Sequence, residues 1–207
     1  FMNGIPALAA ATVNGFPLIM ISGSSQRKII DLSRGDYEEL DQYNVAKPFA
    51  KAAYRIDRPE DIGIGVARAF RTAVSGRPGG VYLDVPADML QSFIEEDIAD
   101  QITYKPTHMN PKQLADENSV AEAKKLIQKA KKPLVIIGKG AAYARAENEI
   151  KDFIEKLNIP YLPMSMAKGL IDDVHKLSMA SARSLALKEA DVVILVGARL
   201  NWLLDHG

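Results

Sequence analysis

The sequence predicts an α/β protein made of two successive three-layer domains, each built on a parallel sheet and each incomplete in this chain. Short, mostly apolar runs such as 17–23, 81–86 and 133–138 have the length and content of strands. They alternate with longer stretches whose apolar residues recur at helical spacing. Strands that alternate with helices imply right-handed crossovers, hence parallel pairing. Between the two alternating blocks, residues 92–116 are polar, proline-bearing and without period, as expected of a linker. The boundaries are therefore 1–91, a linker 92–116, and 117–207.

In the first block a small-residue helix over about 3–13 precedes an apolar run, Pro17 to Gly23, predicted to be a strand buried on both faces. A polar loop covers 23–48, and a short strand spans 52–56. Pro59-Glu60-Asp61 is a good helix opening, with proline and acids in the first turn. That helix runs to about Val74 and places Ile62, Val66, Ala69, Phe70 and Ala73 on one face. The glycine-rich turn 75–80 ends it and the strand 81–86 follows. The second block predicts a helix over 117–131, a strand 133–138, a helix 144–157 and a strand 159–163. A loop, a helix over 178–189 and a strand 191–196 complete it. The chain opens Phe1-Met2-Asn3-Gly4 straight into an alanine-rich stretch and ends without a polar tail, so it is expected to be a piece of a longer protein.

Composition narrows the function classes. Apolar residues make up 47% and charged residues 25% of the chain, the balance of an ordinary globular protein. The 26 basic and 26 acidic residues cancel, so no global field draws in nucleic acid or an acidic membrane surface. An anion site must be a local cluster. The absence of cysteine excludes disulfides, thiolate metal ligands and a cysteine nucleophile. His108, His175 and His206 lack metal-ligand spacing, and no metal ligands are assigned. No apolar run reaches the ~18 residues of a membrane span.

In a parallel α/β sheet ligands gather beyond the carboxyl ends of the strands, which directs attention to the segments just after each strand. Gly138-Lys139-Gly140-Ala141-Ala142-Tyr143 leads from a strand into a helix. Its glycines allow close approach to a phosphate, its helix N–H groups can face one, and Lys139 adds a mobile cation. A tight turn with an exposed lysine is the plainer alternative. After the last strand, Arg199 offers a fork of donors beside that loop. Arg77, on a turn pinned by Gly76 and Pro78, supplies a third cation. Tyr37 and Glu38 pair a phenol with carboxylates in a loop, a combination able to orient or relay a proton. Ala180, Ser181, Ala182, Arg183 and Ser184 open a helix with N–H groups, hydroxyls and one cation, suited to an anion or simply to capping. Met164 and Met166 flank Ser165 and are read as core filling. Solvated or structural roles compete at every one of these positions, and composition does not name a reaction.

The residues from Asn3-Gly4 to Ser22-Gly23, together with Ser75 to Pro86, resemble the second half of the pyrimidine-binding domain of thiamine-diphosphate-dependent decarboxylases. Pro133 to Gly140, Pro163 to Gly169 and Ala190 to Arg199 resemble the middle domain of the same family. Within it, Ser22-Gly23-Ser24-Ser25, Gly35 to Gln42, Gly138 to Tyr143 and Gly197 to Trp202 are similar to the branch that decarboxylates oxalyl-CoA. The neighbouring 2-hydroxyacyl-CoA lyases share Ser75 to Pro78 but tend to carry Phe and Gln where Tyr37 and Glu38 stand. The resemblance implies decarboxylation of oxalyl-CoA to formyl-CoA through carbanion chemistry that belongs to the cofactor. It implies that Tyr37 and Glu38 lie near the reaction centre, with Tyr37 touching substrate, and that Ala180 to Ser184 line the coenzyme A path. Arg77, Lys139 and Arg199 are then the holders of an activating ADP. Thiamine diphosphate and Mg2+ are implied as cofactors, with their anchoring residues outside these 207. A cytoplasmic homo-oligomer, dimer or tetramer, without nucleic acid or membrane, is also expected. A 2-hydroxyacyl-CoA lyase and a non-catalytic nucleotide-binding module are the alternatives.

Overall fold

The computed structural model describes residues 1–35, 39–104 and 113–207. Two compact units, residues 1–112 and 113–207, divide the chain, each with its own sheet and core.

The first unit runs α1 (Ile5–Asn14), β1 (Leu18–Ser24), α2 (Arg27–Ile30), α3 (Gln42–Ala46), β2 (Ala52–Arg55), α4 (Ile62–Val74), β3 (Gly80–Pro86), α5 (Ala87–Leu90) and α6 (Glu96–Gln101). Its sheet has the order β1-β3-β2, with both pairings parallel. All of β3 is buried, Asp84 included, as befits the central strand of a parallel sheet. Side chains alternate between the faces. Tyr82 packs with Ile5 and Leu8 of α1 and Ala46 of α3. Val81 meets Ala69 and Ala73 of α4, and Leu83 and Val85 meet Ile56, with Ile62 and Val66 against them. The unit is thus a helix–sheet–helix sandwich, the predicted three-layer class.

Two expectations fail here for identifiable reasons. β1 is not buried on both faces: it is an edge strand, half-buried, with Ile21 59% exposed. An apolar run signals a strand but does not fix its place in the sheet. Phe70 is 44% exposed instead of facing the core. The buried residues of α4 are the small ones, Gly65, Ala67, Ala69 and Ala73, and at Gly65 the helix lies so close that a Cβ would fall 2.2 Å from the Ile56 Cδ1. In addition, the 23–48 loop contains α2 and α3, and α6 lies within the stretch read as linker.

The second unit runs α7 (Glu117–Lys129), β4 (Pro133–Ile137), α8 (Lys139–Tyr143), α9 (Glu147–Leu157), β5 (Tyr161–Pro163), α10 (Arg183–Glu189) and β6 (Val192–Val196). Asp116 caps α7 by accepting from the Ser119 N–H at 2.9 Å. The sheet order is β5-β4-β6, again parallel. Val135 and Ile137 pack with Ile150 and Ile154 of α9 and with Ile127 of α7. Leu134, Ile136 and Leu162 face Ala186 and Leu187 of α10. The helix predicted over 144–157 starts only at Glu147, after Arg145 with its φ of 52°, and the turn predicted before it is itself the short helix α8. The helix predicted over 178–189 is α-helical only from Arg183, behind a 3-10 turn at Ala180–Ala182. Among the described residues, no helix is long and apolar enough to cross a membrane.

Candidate functional site

At the carboxyl end of the first sheet the parallel register sets Ser22 of β1, Asp84 of β3 and Arg55 of β2 in one row. Asp84 is fully buried and the Arg55 side chain is 12% exposed, with Arg55 Nε donating to Asp84 Oδ2 at 2.6 Å. Arg55 also donates to Asp41 Oδ1 at 3.2 Å and lies over the Tyr43 ring. The buried Gln42 accepts at Oε1 from the hydroxyls of Ser22 and Tyr82, each at 3.0 Å. Burial, followed by the nearby Asp84 carboxylate, pushes the Tyr82 phenol far above its ordinary range, so it serves as a donor at neutral pH. Burial also acts to raise the Asp41 carboxyl. The bonds from the Asn44 side chain and backbone, with the Arg55 cation, outweigh it and hold Asp41 below its ordinary value.

Sequence reading missed this network because most of its bonds join residues 14 to 40 positions apart, which only the folded sheet brings together. The available signal was an aspartate inside the otherwise apolar run 81–86. Of the residues singled out beforehand, Tyr37 and Glu38 lie outside the described residues. The segment after them is fixed: Asp41 caps α3 by accepting from the Asn44 N–H at 3.2 Å.

Arg77 belongs to the first unit, where its guanidinium donates to the Val13 carbonyl. That carbonyl lies in the last turn of α1, so Arg77 acts there as a C-terminal cap.

Lys139 and Arg199 lie in the second unit, on loops that are locked together. The Gly138 N–H donates to the Val196 carbonyl at 2.8 Å and the Gly140 N–H to the Gly197 carbonyl at 3.0 Å. A Cβ on Gly138 would fall 2.3 Å from the Gly197 oxygen, and one on Gly197, whose φ is +61°, would fall 2.2 Å from the Ala141 nitrogen. The glycines therefore admit another backbone, and the Gly140 N–H is already used. Lys139 is half-buried and Arg199 is exposed.

A third arrangement lies beyond β5. A cleft of about 290 Å³ is bordered by Leu162, Met164, Ser165, Lys168, Ala180, Arg183 and Leu203. Arg183 donates to the Leu203 carbonyl at 2.6 Å and reaches the Met164 sulfur at 3.8 Å. Two of the five residues predicted for the helix opening, Ala180 and Arg183, border this cleft. Ser181 and Ser184 are exposed, Ala182 is half-buried, and no side chain caps α10. Met164 borders the cleft besides touching the core, and Met166 is 50% exposed, so neither is simple filling. Ser165 and Lys168 were not singled out for function by sequence reading. The signal that finds them is their position just after a parallel strand.

Among the described residues no group of three or more His, Cys, Asp and Glu side chains converges to hold a metal ion. A magnesium–diphosphate pair has no such holder among them.

The sequence is similar to known proteins along its whole length. Residues 120–207 match the family described as thiamine pyrophosphate enzyme, central domain. The whole chain is 60% identical over 207 residues to an oxalyl-CoA decarboxylase of Escherichia coli K12, covering 37% of that protein. It is 43% identical over 209 residues to a 2-hydroxyacyl-CoA lyase of Arabidopsis thaliana and 38% identical over 207 residues to the human 2-hydroxyacyl-CoA lyase 1, covering 36% and 35% of those proteins. The chain spans little more than a third of the length of these relatives.

Proposed function

With residues 120–207 a central domain of the thiamine pyrophosphate enzyme family, we propose that the chain is part of a carboxy-lyase that releases CO2 from oxalyl-CoA and yields formyl-CoA. One observation carries this choice: across the same residues the chain is closer to the decarboxylase than to the 2-hydroxyacyl-CoA lyases. Thiamine diphosphate, when bound, would supply a nucleophilic thiazolium carbon and a ring able to hold the electron pair freed by loss of CO2. The residues that hold it and Mg2+ belong to the rest of a full-length, cytoplasmic homo-oligomer.

In this reading the chain's own residues position the substrate. Tyr37 and Glu38 stand near the acyl group, Tyr37 against the substrate and both available to orient a proton. Arg183, with Ala180, Ser181, Ala182 and Ser184, borders the coenzyme A path. Its fixed hydrogen bond to the Leu203 carbonyl sets the direction of its remaining donors before a ligand arrives. Lys139 and Arg199, on interlocked loops of the second unit, hold an activating ADP.

The deciding assay is formyl-CoA release from oxalyl-CoA by the full-length protein supplied with thiamine diphosphate. Cleavage of 2-hydroxyacyl-CoA with no formyl-CoA formed would move the chain to the lyases. Calorimetry of ADP against the same protein and its Lys139→Ala and Arg199→Ala variants tests the nucleotide site. Unchanged binding in both variants would remove these residues from it.

A further inference from the structure

The cleft beyond β5 holds a cation that the proposed function leaves unused. Lys168 borders it together with Arg183, Ser165 and the apolar side chains of Leu162, Met164 and Leu203, and no carboxylate borders it. Two cations and an apolar lining without a carboxylate suit a ligand that is part apolar and part anionic. The two cations differ in kind. Arg183 is held in place by the Leu203 carbonyl at 2.6 Å. Lys168 is exposed and has no ion-pair or hydrogen-bond partner among the described residues. Its backbone is nevertheless anchored. Ala167 before it is 1% exposed in the core, and Gly169 after it turns the chain at a φ of +82° that other residues adopt only with strain. A mobile ammonium on a fixed backbone point, at the carboxyl end of a parallel strand, is suited to a phosphate.

We propose that Lys168 binds a phosphate of the acyl-coenzyme A, acting with Arg183 in the cleft beyond β5. The assignment rests on the acyl-CoA reading above. The test uses the full-length protein with Lys168→Gln and Lys168→Arg, assayed on oxalyl-CoA and on oxalyl-pantetheine, which lacks the nucleotide phosphates. Lys168→Gln is expected to raise KM for oxalyl-CoA about tenfold, the size of one charge-assisted hydrogen bond at a partly exposed site. It should leave kcat within about twofold and KM for oxalyl-pantetheine unchanged, and Lys168→Arg should restore most of the loss. An unchanged KM for oxalyl-CoA, or an equal rise for both substrates, overturns the proposal. So does weakened ADP binding in calorimetry with KM for oxalyl-CoA unmoved, which would give the lysine to the nucleotide. If the wild-type protein turns over no oxalyl-CoA, the carboxy-lyase reading fails separately. Calorimetry of coenzyme A against wild type and Lys168→Gln then still judges the lysine, and equal affinities sink it.

Discussion

Replacing Arg55 with Met tests whether the polar row at the carboxyl end of the first sheet is held by a buried ion pair. Methionine keeps most of the aliphatic volume and removes the charge. Asp84 is then left fully buried, with the Tyr82 hydroxyl at 3.4 Å as its remaining partner. Unit charges about 4 Å apart attract by about 4 kcal/mol at an effective dielectric near 20. Removing one member of a buried pair destabilises by about 3–5 kcal/mol, because the charge left behind is uncompensated. The 12% exposure of Arg55 admits some water and favours the lower end, about 3 kcal/mol. The assay is amide hydrogen exchange of the β3 residues, which reports on the first sheet alone. A loss of about 3 kcal/mol accelerates exchange about a hundredfold, at about 1.4 kcal/mol per factor of ten. Asp41→Ala removes the other, more exposed partner, with a side chain 45% accessible, and should cost no more than about 1–2 kcal/mol from the weak pair and the lost cap together. If Arg55→Met left β3 exchange within about threefold of wild type, below ~1 kcal/mol, the pair would not be holding the row.

Other outcomes follow from the same coordinates. Gly197→Ala puts a methyl group 2.2 Å from the Ala141 nitrogen at a φ of +61°. It should destabilise the second unit by about 3 kcal/mol or more, seen as lost amide protection in β4 and β6. Tyr82→Phe removes one of the two hydroxyls on Gln42 and should cost about 1 kcal/mol in β3 exchange, with no change in the second unit. Asp191 accepts from the Lys131 and Lys132 N–H groups at 2.7 and 2.9 Å, bonds that hold its carboxyl below the ordinary range. A depressed carboxyl contributes stability above its unfolded pKa of about 3.9 and loses it as the pH falls through the folded value. Acid titration of Asp191→Asn against wild type should show a difference near neutrality that closes below that point.

The layers were legible because β3 and β4 are central strands whose composition is dictated by burial on both faces. Where one face is open, the same kind of run misleads: 17–23 reads like a central strand but lies at an edge. The short helices α2, α3, α5, α6 and α8 have four to six residues each. That is too little for a 3.6-residue period to register, and tertiary contacts decide them. Phe70 sits beside the correct stripe of α4, whose buried positions are all Gly or Ala, so a count of apolar letters points to the wrong neighbour. Site residues divide along the same line. Lys139 and Arg199 directly follow strands and were singled out by that rule, and Arg183 by its place at a helix opening. Ser22, Gln42, Arg55 and Asp84 form a site only through register, which local letters do not encode.

The glycine loop shows how one sequence pattern serves two physical ends. Glycines after a strand permit close approach of whatever comes next, and the pattern is silent on whether that is a phosphate or a peptide. Here it is a peptide: Gly138 and Gly140 receive the Gly197 turn, and the Gly140 N–H that could face an anion is already spent on the Gly197 carbonyl. An anion held beside these loops would therefore meet side-chain cations in place of a ring of amides. Such a site draws its affinity from Coulomb attraction and the arginine fork, and so weakens steeply with salt. The interlock has its own consequence. Because the two backbones are in contact, the Cα positions of Lys139 and Arg199 are fixed relative to each other whether or not a ligand is present. An anion that uses both cations then orders only their side chains, and the loops contribute pre-organisation in place of backbone donors.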